Sequence, residues 1–145
     1  MTFYEALGAM FLRAVETLAG GEVDNPTPRQ LREVTVFLRR MHALWPELFS
    51  CLWQETSVLQ KGLRELNSSI QKAGRTSPSS WLVDGQSDDP VAEYRRLVGV
   101  FDEAMTFLHD YRSEPWGAHA LERLREVLAA AVRIQGRLVD LALAA

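Results

Sequence analysis

The chain has 145 residues, 47% of them hydrophobic and 24% charged, with a formal net charge of −3. This is the composition of one soluble globular domain with room for a real core, and it lacks the basic surplus of a dedicated nucleic-acid binder. A single cysteine, Cys51, excludes an intramolecular disulfide and suits a reducing cytosol.

The N-terminal residues lack the basic region that opens a signal peptide. No charge-free apolar run approaches the roughly 18 residues of a membrane span. Arginine outnumbers lysine fourteen to two, which in an Ala- and Leu-rich chain reads as compositional bias.

Helical periodicity dominates, and no alternating strand pattern stands out. Thr2 and Glu5 form a capping box for the first helix. Its inward face is Phe3, Leu7, Met10, Phe11, Ala14 and Leu18, and Gly20-Gly21 ends it. The second helix opens at Thr27-Pro28, with Gln30 completing a second box. Leu31, Val34, Leu38, Met41 and Trp45 follow at spacings of three and four, a heptad-like face. Trp45-Pro46 predicts a break, since proline disfavours a helical residue before it and has no N–H.

A third helix is expected from about Pro46 to Ala73, with Leu48, Leu52, Leu59, Leu63, Leu66 and Ile70 inward and Gly74 closing it. Asp89 caps a fourth, from Pro90 to about Arg112, that buries Tyr94, Leu97, Phe101, Ala104, Met105 and Leu108. Ser113–Gly117 separates it from a fifth carrying Leu121, Leu124, Leu128, Ala131, Leu138 and Ala142.

The expected fold is therefore all-α: four long amphipathic helices plus a shorter N-terminal helix in an antiparallel bundle, one domain over 1–145 with a long loop at 74–89. Short breaks at 45–46 and 113–117 imply hairpins. The 74–89 loop is open between turn and crossover. Sixteen extended residues reach roughly 50 Å, and a 25-residue helix is only about 38 Å long.

If the bundle is simply up-and-down, both short breaks share one end, and His42, Cys51, His109 and His119 gather there as weak metal candidates. No pair has the i, i+3 or i, i+4 spacing of bundle metal sites. The alternative is edge histidines in solvent. No phosphate loop, nucleophile elbow or paired-carboxylate motif is present, so no catalytic residue and no cofactor is assigned.

Glu55 and Gln135 fall on inward faces. They either bond across helices and fix register, or form the polar contacts of a ligand pocket. Trp81, with Leu82 and Val83, interrupts an otherwise polar loop. It covers the core, or it belongs to a 77–88 lid over that pocket. Val100, Phe107 and Tyr111 make a second apolar stripe on the fourth helix, and Trp53 also points off its helix's main face. These residues pack within the chain or form a subunit interface.

The function expected is a cytoplasmic, non-enzymatic interaction or assembly module that self-associates as a homodimer. A further protein partner is open, and neither nucleic acid nor membrane is expected as one. The alternative is a small-molecule-binding bundle with a pocket near Glu55 and Gln135. A metal-dependent or nuclease enzyme comes third.

Overall fold

Helix ends follow the capping chemistry of the sequence. In the computed structural model, which describes residues 2–19, 25–81 and 88–144, α1 spans Phe3–Leu18 and starts at the Thr2–Glu5 box. The Thr2 amide donates to Glu5 Oε2 at 2.7 Å, and the Glu5 amide donates to Thr2 Oγ1. Helix α2 spans Pro28–Lys72 and opens on the matching Thr27–Gln30 pair, at 2.8 and 3.2 Å. Helix α3 spans Pro90–Asp110, with Asp89 Oδ1 accepting from the Val91 and Ala92 amides. Helix α4 spans Pro115–Ala144. Among the described residues there is no strand, and the fold is all-α.

Four helices stand where five were expected, because Pro46 does not break the chain. It lies inside the 45-residue α2. Proline removes one N–H, so the His42 carbonyl loses its partner four residues on. His42 and Pro46 are both exposed, and water can take up that carbonyl. Meanwhile Met41, Leu44, Cys51 and Leu52 are buried on both sides of the proline. Burial along one uninterrupted helical face outweighs a single lost bond. The expected hairpin at 45–46 therefore does not exist.

Gly74 does close α2. It sits at φ +71°, and the Arg75 amide reaches back to the Ile70 carbonyl at 3.0 Å, the wrapping bond of a left-handed helix terminus.

The chain divides into two units. One holds residues 52–135. Here Leu59, Leu63, Leu66 and Ile70 of α2, Leu97, Phe101, Ala104 and Leu108 of α3, and Leu124, Val127 and Ala131 of α4 are buried. Helix α4 runs antiparallel to α2, as the pairs Glu65–Arg123 and Glu55–Gln135 show. They approach closely where a Cβ on Gly62 would lie 2.6 Å from Val127 Cγ1. At the tight α3–α4 turn, a Cβ on Gly117 would run into the Tyr111 carbonyl, so glycine is required there.

Helix α3 runs parallel to α2. Tyr94, near its start, neighbours Glu55, while Tyr111, at its end, neighbours Arg75. The 74–89 connection is thus a crossover. Leaving α2, the chain enters a short 3₁₀ turn at Ser79–Trp81, where Trp81 is 2% exposed. The Trp81 indole N–H donates to Glu103 Oε2 at 3.1 Å, and its ring meets Phe107 edge-on, 5.6 Å between centroids. Trp81 covers the core of this unit. Leu82, Val83 and Gly20-Gly21 lie outside the described residues.

The other unit holds α1, α2 as far as Cys51, and the end of α4 from Gly136. Helix α1 and the start of α2 form an antiparallel hairpin. They line one groove of about 480 Å³, with Met10, Ala14 and Thr17 on one side and Gln30, Val34 and Phe37 on the other. Only Tyr4, Ala14, Met41, Leu44, Cys51 and Leu138 are buried apolar residues among those described in this unit.

Candidate functional site

The most enclosed polar group is Glu55 of α2, at 0% exposure. It is not left unsatisfied. Gln135 of α4 donates through Nε2 to Glu55 Oε2 at 2.9 Å and to the Tyr94 hydroxyl of α3 at 2.8 Å. Burial pushes the Tyr94 phenol above its ordinary value, and the hydrogen bond and charge of Glu55 push the same way, with Gln135 opposing. One residue from each of three helices thus closes a triangle of hydrogen bonds. Because all three partners are internal, the triangle fixes the register of the helices. The two cavities of about 480 Å³ are lined by other residues.

Beside it, Glu93 is buried and grips Arg96 through two bonds of 2.8 and 2.9 Å. That guanidinium, aided by Gln60, holds the Glu93 carboxyl below the usual carboxylate range, against the opposing effect of burial.

Sequence reasoning placed Glu55 and Gln135 inward, and the structure brings them together. It did not connect them to Tyr94. The signal was available: Tyr94 was on the inward face of its helix, and a buried phenol needs a partner for its hydroxyl.

The apolar stripe on α3 is partly covered by the chain's own side chains. Val100 is buried. Phe107 and Tyr111 are half-buried in an aromatic row from Trp81 to Trp116, with successive centroids 5.6, 5.1 and 5.1 Å apart. Arg75 lies 4.7 Å from the Tyr111 ring centroid. Trp53, by contrast, is 72% exposed.

The metal candidates separate. His42, His109 and His119 are exposed along three different helices, and Cys51 is a buried thiol. Their gathering depended on a turn at 45–46 and on simple up-and-down topology. A continuous α2 and a crossover after it remove both conditions. Among the described residues, no group of three His, Cys, Asp or Glu side chains is placed to hold a metal ion.

Among the described residues, no helix is long and apolar enough to cross a membrane. Comparison with protein-family models, with curated proteins and with solved structures finds no match for this chain.

Proposed function

We propose that this chain is a helical interaction and assembly module that self-associates and performs no chemistry of its own. The observation that carries this is where the large apolar side chains remain open. Of the fifteen exposed ones among the described residues, twelve belong to the unit built from α1, the first part of α2 and the end of α4. An isolated exposed apolar residue is ordinary, but a concentration of them marks a binding surface. The internal bonding of Glu55, Tyr94 and Gln135 supports a structural role for those groups. The single thiol, Cys51, suits a cytoplasmic setting.

Native mass spectrometry of the purified chain tests the proposal. A dimer of bare polypeptide mass is expected. A monomer carrying a stoichiometric metal or organic ligand would overturn it.

A further inference from the structure

The unit packs α1, the first part of α2 and the end of α4 together, and part of the α1–α2 hairpin stays uncovered. A stable layer architecture needs a second layer against it. In the α1–α2 hairpin the uncovered part is patterned. On α1, Phe11, Val15 and Leu18 follow at i, i+4 and i+7 and are 41–51% exposed, one stripe of a helix surface. On α2, Leu31, Trp45 and Phe49 are 40–57% exposed. Leu31 and Trp45 belong to the heptad-like seam that includes Leu38, which is half-buried, and Phe49 follows Trp45 four residues on. Trp45 and Phe49 meet edge-on, 5.8 Å between centroids.

These two stripes look the same way. Each lies roughly a quarter turn from the residues its helix contributes to the shared groove, counted toward higher residue numbers at 3.6 residues per turn. The helices are antiparallel, so equal rotations in sequence carry both stripes to one side of the hairpin. The α2 stripe carries no charge. Thr35 and His42 lie along its outer flank, while Arg29, Arg32, Arg39, Arg40 and Glu47 point elsewhere on the helix.

We infer that this side of the α1–α2 hairpin is the self-association surface, occupied by the same face of a second copy to make a four-helix bundle between chains. The inference rests on the self-associating reading above and gives it a location. The area fits a second copy. A free aromatic side chain offers about 150–250 Å², so at these exposures the six apolar residues present roughly 600 Å². A stable interface takes about 800 Å² from each partner, and about 65% of a homodimer interface is apolar. The exposed apolar area therefore matches one partner's share, with Thr35 and His42 contributing to the polar remainder. A face of this kind that meets itself across a two-fold axis closes the assembly at two copies.

The test measures the mass of the full chain by sedimentation equilibrium over a range of concentrations. It compares the wild type with Phe11→Ser/Leu18→Ser and with Trp45→Ser/Phe49→Ser. All four positions are exposed, and circular dichroism checks that helicity is kept. A wild-type dimer is expected, with each double variant weakening it about a hundredfold or more, as loss of central apolar anchors does. A dimer that survives both variants, or that is lost only in Phe107→Asp on α3, overturns this surface while leaving self-association standing. A monomeric wild type overturns both, as does a stoichiometric complex with a different chain in place of the dimer.

Discussion

At Tyr94 the side chain is committed on both sides of its hydroxyl, to Glu55 and to Gln135. Tyr94→Phe deletes both bonds while keeping the ring, and leaves a fully buried carboxylate and a carboxamide each one partner short. A loss of about 1–3 kcal/mol in urea unfolding is expected. The phenol also sets a pH dependence with a defined sign. Its folded value is raised, so its contribution is complete below the unfolded value near 10 and is lost as pH climbs through the folded one. Stability measured from neutral pH into the alkaline range should therefore fall less steeply in Tyr94→Phe than in wild type. Trp81 is a second residue with a committed role. Trp81→Ala removes a ring from a closed core and should cost about 3–5 kcal/mol in thermal or denaturant unfolding. Tyr94 was readable as inward-facing from its helical position, whereas Trp81, in a loop, could be read as core cover or as part of a lid. What each would bond to was not readable, because Gln135 and Glu103 lie far along the chain from them, and single-chain periodicity carries no information on pairing between helices.

At the scale of the helix, Gly62 and Pro46 make opposite predictions. A Cβ at Gly62 meets the branched end of Val127, a side chain with few alternative rotamers. Gly62→Ala should destabilise by about 1–3 kcal/mol through overpacking, and adding Val127→Ala should recover part of that loss. A double-mutant cycle in which the two changes simply add would sink the contact as the cause. Pro46→Ala should do the reverse. It restores an N–H to a helix that already persists through the site, and a gain of about 1–3 kcal/mol in stability is expected by thermal melting. The continuity of α2 was itself legible. Met41, Trp45, Leu48 and Leu52 keep one helical phase across the proline, whereas a true break resets the phase. The local rule for proline was given precedence over a periodicity that ran through it.

For the whole chain, the two units differ in how they hold their apolar groups. Residues 52–135 close a three-helix core under the Trp81 turn, and the hairpin of α1 with α2 leaves its stripes open. If copies pair through those stripes, the melting transition of residues 1–51 should move up with protein concentration, because each tenfold rise adds about 1.4 kcal/mol to an association equilibrium. Scanning calorimetry on a dilution series checks this, and a midpoint independent of concentration would count against pairing. The all-α class could be read from the sequence with three of its helix starts, because caps and apolar spacing are local; α4 starts at Pro115, inside the segment expected to be a break. The crossover could not. Loop length permitted both topologies, and only the pairs Glu55–Tyr94 and Arg75–Tyr111 decide that α2 and α3 run in the same direction.

The four tryptophans differ in exposure, with Trp45 and Trp53 open to solvent, Trp116 half-covered and Trp81 enclosed. The chain therefore carries its own optical reporters. Trp81 is the one whose emission should shift to longer wavelength when the core of residues 52–135 opens. Trp45 emission should instead move to shorter wavelength on concentration alone, as a neighbouring copy excludes water from its ring. With Trp53 and Trp116 replaced by phenylalanine, one spectrum would follow folding and association as two separate signals.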